Sequence, residues 1–205
     1  MELSLICPVK HIEHTALLAG RFCIAPVALK HGDYRKYFEN AVIDGYKVIL
    51  DNGVFESNRM QADDYIGMAR LIKPRVLVIP DIINAGADAN YKEALEFIDL
   101  VKTEELNNSL YAPVEFMFVP QCEKDDTKGF WEVIDNALVN DRIQWIGICR
   151  DAVYNAFSKW THTEDQELNR FFFATDLQRR CGPNISMVKW HFLGIGARLD
   201  RKSVV

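Results

Sequence analysis

Asp51 ends the run KVIL in YKVILDNGVFE (46–56), and Asp81 ends RVLVIP (75–80). Carboxylates at such places accept hydrogen bonds, attack as nucleophiles or move protons. Gln121 follows VEFMFVP (114–120) and adds a carboxamide, which donates as well as accepts. WIGIC carries Gly147 ahead of Arg150 and Asp151, and HFLGIG carries Gly194 and Gly196. Glycine lets the backbone come close to a ligand. Phe55 offers a flat face, and Glu56 beside it is a further acid/base candidate. A planar ligand with N–H donors on one edge and a carbonyl beside them would satisfy this set. Guanine has that pattern, and edge hydrogen bonds with stacking are how enzymes read a base taken out of the helix. Each position also has a local reading. Asp81 suits a helix N-cap, the glycines suit turns, and Asn52-Gly53 is ordinarily a hairpin signal. The weight lies in several polar residues falling at the same kind of place.

That place is the C-terminal end of a strand. Seven short apolar runs, at 3–7, 22–27, 47–50, 75–80, 114–120, 143–148 and 187–195, are rich in β-branched residues and read as buried strands. Helical patterns occupy 33–44, 62–73, 87–106, 127–139 and 164–180. In the third of these, Tyr91, Ala94, Leu95, Ile98 and Val101 share a face. The alternation predicts a parallel sheet covered by helices, in one domain over 1–205. Seven runs are one short of a (β/α)8 TIM-like barrel, so the expectation is a compact barrel missing or shortened at its C-terminal strand. A doubly wound sheet would carry a Gly-rich loop after its first strand, and CPVKHIEH (7–14) is not one.

The rest of the composition excludes more than it assigns. Of 205 residues 49% are apolar and 26% charged, and the net charge of −5 argues against a wholly basic nucleic-acid binder. Arg179-Arg180 and Arg198/Arg201/Lys202 are the local basic clusters, read first as solvated surface. Five cysteines with no C-x-x-C spacing fit reduced thiols in a cytoplasmic protein rather than a disulfide framework or zinc ribbon. No signal peptide or membrane-spanning run is read. His11 and His14 are spaced to share a metal but lack supporting ligands, so no metal and no cofactor are expected. His191 reads as a core or interior residue. Cys122 and Cys149 read as pocket lining, since no base to activate a thiol is visible. Phe171, Phe172, Phe173 and Trp131 read as helix-face core.

Taken in order, the strand-end motifs resemble the tRNA-guanine transglycosylase superfamily, which includes relatives that insert 7-deazaguanines into DNA. DNGVFE resembles that family's Asp-Ser-Gly-Gly-(Phe/Tyr)-Gln segment, PQC its Val-Gln-Gly, WIGIC its Ile-Gly-Gly and HFLGIG its Leu-Met-Gly-Val-Gly. IPDII falls where the family keeps a second base-binding aspartate, and the likeness covers roughly residues 45–196. The resemblance implies that Asp51 and Asp81 hold the donor edge of a purine or 7-deazaguanine base. It implies that Phe55 stacks on the base, that Gln121 and the backbone near Gly147 donate to its carbonyl, and that Gly194 and Gly196 keep the pocket open. It also implies base exchange in DNA or tRNA by double displacement, with a carboxylate attacking C1′. The family's nucleophilic aspartate lies well beyond its Gly-x-Gly segment. Here Asp200 is the one carboxylate following HFLGIG, and Asp51 and Glu56 are the other catalytic candidates. Val54 and Glu56 stand where the family has glycine and glutamine. An N-glycosidase on the same barrel, with Arg150 and Arg198 as phosphate candidates, and a base-binding protein without a nucleophile are the alternatives. A homo-oligomer or partner chain completing the barrel is a further expectation, because an open parallel edge is a liability.

Overall fold

The computed structural model describes residues 9, 11–13, 20–54, 60–83, 85–107, 114–158, 166–182 and 188–193. Among these residues six strands make one parallel sheet in the order β1 to β6: Gly20–Ile24, Lys47–Asp51, Val76–Val78, Glu115–Phe118, Trp145–Ile148 and Lys189–Phe192. Seven helices connect them: α1 Ala25–Lys30, α2 Gly32–Ile43, α3 Ala62–Ile72, α4 Ala87–Asn107, α5 Thr127–Leu138, α6 Arg150–Phe157 and α7 Gln166–Cys181. Every strand pairs with its neighbour in sequence, so the sheet does not reverse direction and is not doubly wound. The sheet is also not the (β/α)8 barrel expected from sequence. It is a curled half-barrel of six strands, and the run at 3–7 lies outside the described residues.

The register explains the curl. One row of partners runs Phe22–Ile49–Val76–Glu115, and another, two residues further along β4, runs Met117–Trp145–Lys189. The row from Phe22 therefore runs out before β6 begins at Lys189. Yet the ring of Phe22 stacks on His191, two residues after Lys189, with centroids 5.7 Å apart and planes 15° apart. Strands tilted with this stagger bend a sheet toward closure, bringing its first and last strands face to face. The alternation of side chains then puts Ile24, Asp51, Val78, Val119, Gly147 and His191 on the concave face. Their neighbours Leu50, Leu77, Phe118 and Ile146 turn outward, and all four are buried.

Local sequence sets the boundaries. The run at 22–27 is not one strand. Pro26 has no N–H for a ladder and suits the first turn of a helix, so β1 ends at Ile24 and α1 begins. Asp63 and Asp64 lie in the first turn of α3, where the helix dipole favours them. Asp126 caps α5 by accepting the Gly129 N–H at 2.9 Å. On the outer layer, Phe130, Trp131, Phe157 and Phe173 form an aromatic cluster. The side chains of Phe171 and Phe172 lie outside the described residues. Arg180, one of the basic candidates, sits 5.0 Å over the Trp131 ring and binds Asp135 at 2.7 Å.

The N-terminal edge of the sheet is closed by charge. Glu115 accepts from Trp145 Nε1 at 2.5 Å, Lys189 Nζ at 2.8 Å and Arg75 Nη2 at 2.9 Å. Burial pushes the Glu115 carboxyl up, but those three donors outweigh it and hold the group below its ordinary value. Lys47 and Lys189 each lie 5.1 Å from the Trp145 ring centre.

His191 gives the fold a pH dependence. Burial beside Phe22 lowers its pKa, whereas in the unfolded chain it titrates near about 6.5. Below that pH the unfolded chain takes up a proton that the folded chain resists, so stability falls until the lowered folded pKa is reached. Urea denaturation from pH 7.5 downward is expected to show this acid slope, and His191→Phe, which keeps a ring at the seam, is expected to flatten it. An unchanged slope would assign the acid sensitivity to other groups.

Candidate functional site

At the C-terminal edge of the sheet, buried polar side chains lace the strand exits together. Tyr34, on α2, accepts the Ile24 N–H at 3.3 Å. Tyr65, on α3, bridges two strands, its hydroxyl 2.7 Å from Leu50 O and 2.8 Å from Val78 O. Asn52 accepts the Val54 N–H at 2.9 Å, and its Nδ2 reaches toward Ile79 O at 3.5 Å. Asn90, on α4, accepts the Gln121 N–H through Oδ1 at 3.1 Å. These are backbone groups where the ladders end, and burial requires that they find side-chain partners.

Two predicted site residues meet inside this lacing. Gln121 Nε2 donates to Asp81 Oδ2 at 2.6 Å, joining the exits of β4 and β3. Asp81, Gln121 and Asn90 are 3%, 2% and 1% exposed, so the pair lies in a dry environment where a charged acceptor strengthens the bond. The contact also fixes the amide, because the carbonyl end would face the carboxylate with like charge. One Nε2 hydrogen and Oε1 of Gln121 find no partner among the described residues. Asp81 has acceptor capacity for more than one donor.

Asp51 ends β2, next to β3, and its Oδ2 accepts the Gly53 N–H at 3.3 Å. It is half-buried, the most accessible of the three. Gly53 has φ +72°, and a Cβ there would lie 2.6 Å from Pro26 Cγ and 2.7 Å from Cδ. The tight exit therefore presses β2 onto the start of α1. Gly147 sits inside β5 opposite His191. A Cβ there would meet Val119 Cγ2 at 3.0 Å and Leu193 Cδ1 and Met117 Sδ at 3.1 Å. Its missing side chain leaves room for concave-face packing.

Cys149 lies near enough to Asp81 and Asp151 to feel both charges. Burial, the largest influence, pushes its thiol up, and the N–H groups of Ala152 and Asp151 only partly offset this. Burial, helped by Asp126 and Glu123, pushes Cys122 up to about 12. A protonated thiol is a poor nucleophile. Phe55, Glu56, Gly194, Gly196 and Asp200 lie outside the described residues, as do His14 and Arg198. Among the described residues no group of three or more His, Cys, Asp or Glu side chains is placed to hold a metal ion, and no helix is long and apolar enough to cross a membrane.

Sequence reading missed Asn90, Tyr34 and Tyr65. Asn90 left a trace. It stands four residues before Ala94 and seven before Phe97, in the stripe of α4 that packs inward. A polar residue in an apolar stripe needs a partner, and the partner is the Gln121 backbone. A cavity of about 360 Å³ lies elsewhere, between α3 and α4, lined by Met60, Pro80, Glu93 and Phe97 among others. It adjoins the β3 exit at Pro80 but includes neither Asp81 nor Gln121. Comparison with protein-family models and with curated proteins gives no match to this chain.

Proposed function

We propose that this protein recognises a guanine-type base, purine or 7-deazaguanine, and exchanges it at the N-glycosidic bond of DNA or tRNA. The observation that carries the reading is the buried Gln121–Asp81 contact at 2.6 Å. A carboxylate acceptor beside an amide with a second N–H complements a lactam edge, in which a ring N–H sits beside a carbonyl. Guanine presents that edge as N1–H and O6. Asp51, on the neighbouring strand end, supports the reading as the acceptor for the exocyclic amine or as the carboxylate that attacks C1′. In the exchange, a carboxylate attacks C1′ and the C1′–N bond breaks as a second acid group gives its proton to the leaving base. The incoming base then displaces the carboxylate from C1′ and returns its own N–H proton to that second group. This is the logic of a retaining glycosidase with a base in place of water.

Incubation with labelled guanine or a labelled 7-deazaguanine, with DNA and with tRNA, is expected to incorporate label into one polymer. Asp51→Asn and Asp81→Asn are each expected to lower incorporation by about a hundredfold or more, the usual size of loss for a positioned acid/base or charged recognition group. Exchange unchanged in both variants would overturn the site assignment. Release of free base without incorporation would make the protein an N-glycosidase. Base binding with no turnover on any substrate would make it a binding protein.

A further inference from the structure

We propose that Asn90 is a positioning residue for Gln121, an inference that rests on the base-recognition reading above. Gln121 lies three residues past Phe118, the last residue of β4, where no neighbouring strand holds it. It is instead clamped at two points. Asn90 Oδ1 takes its backbone N–H at 3.1 Å, and Asp81 Oδ2 takes its side-chain Nε2 at 2.6 Å. Both clamping groups come from one stretch of chain, the exit of β3 and the first turns of α4.

That stretch is itself anchored. The Asn90 N–H bonds Gly86 O at 3.1 Å, and Ala94, Phe97, Ile98 and Val101 seat α4 in the core. Without Asn90, a 2% exposed residue would keep a backbone donor with no acceptor, and the strand exit would shift to find one. Displacement of about 1 Å at a recognition group is enough to weaken binding strongly. The second clamp would remain, so the Gln121 amide would still reach Asp81, but from a backbone no longer fixed. Asn90 Nδ2 meets no acceptor among the described residues, so the oxygen is the end of this side chain that the fold uses.

The test is a double-mutant cycle on guanine affinity, measured by titration calorimetry on the full chain. Asn90→Ala is expected to weaken guanine binding about fivefold to tenfold, the equivalent of one neutral hydrogen bond. Asn90→Leu, which fills the volume without an acceptor, is expected to behave alike, and either folded variant can complete the cycle. Asn90→Asp, which keeps an oxygen in place, is expected to restore most of the affinity. In a Gln121→Ala background, Asn90→Ala is expected to cost nothing further, because what it positioned is gone. A purely structural role would give the same loss in both backgrounds, and that result would overturn the inference. Undiminished affinity in Asn90→Ala would also overturn it while leaving the base reading standing. Failure of the unmodified protein to bind guanine would remove the base reading and this inference together.

Discussion

Gln121→Leu is expected to lose about 1.5–3 kcal/mol of folding stability, the cost of removing a hydrogen bond to a buried charged group. The loss is larger than for an exposed pair, because Asp81 is 3% exposed and water cannot readily replace the amide. The Gln121 N–H to Asn90 survives the change, since it belongs to the backbone. Leucine is near glutamine in volume, so the effect isolates the lost donor and leaves little cavity. Asp81→Leu added to Gln121→Leu is expected to recover the part of the loss that comes from stranding the carboxylate beside an apolar side chain, while the further contacts of Asp81 are lost with it. Urea denaturation of the two single variants and the double variant gives the coupling directly. Equal and additive losses would mean that Asp81 draws its stabilisation from its other partners. On the base-recognition reading, guanine affinity falls by about 10–100-fold in Gln121→Leu and does not return in the double variant. Stability and recognition then part company, which separates a site from a structural pair.

Gly53→Ala is expected to be the more damaging of two glycine substitutions that look alike in sequence. Gly53 and Gly45 have φ of +72° and +83°, a region that costs an alanine about 1–2 kcal/mol. Around Gly45 a Cβ would meet nothing within 4 Å. At Gly53 it would press on Pro26 at 2.6 and 2.7 Å and on Ile24 Cγ2 at 3.3 Å. A pyrrolidine ring in the first turn of α1 cannot swing aside as a flexible side chain would. Overpacking adds about 1–3 kcal/mol. Gly45→Ala is therefore expected to cost only the conformational part, and Gly53→Ala about 2–5 kcal/mol. Denaturation midpoints of the two variants check this, and equal losses would mean that the β2 exit yields. Because the Gly53 N–H reaches Asp51 Oδ2, the same substitution should also disturb that carboxylate.

What the sequence made legible was what periodicity and turn chemistry encode. Four of the six strands, β3 to β6, lie within their expected runs, β2 overruns its run by one residue at Asp51, and α2 to α5 and α7 match the helical patterns closely. The short helices α1 and α6, of 6 and 8 residues, fall below the length at which a helical period can be recognised. Pro26 was the available sign that 22–27 was not a single strand. The barrel expectation failed because local patterns name strands without counting how far a sheet closes. Closure depends on stagger, and stagger is a relation between strands. At the site, the placing of Asp81 and Gln121 just past neighbouring strand ends followed from the pattern of runs, though their direct hydrogen bond was not foreseen. The buried lacing by Tyr34, Tyr65 and Asn90 did not, because a side chain's partner 10 to 31 residues away leaves no mark in local spacing.

The stacking of Phe22 on His191 also bears on how the chain assembles. Each strand pairs with the next one in sequence, so every ladder closes a modest loop. The seam contact closes nearly the whole chain. Loop-closure entropy rises with length, if slowly, and the stagger that aligns the two rings exists only once the intervening strands have paired. Assembly can thus proceed by winding from neighbour to neighbour, with the aromatic seam as its final clasp. The same clasp gathers every strand exit, and so every residue of the proposed recognition edge, into a single arc.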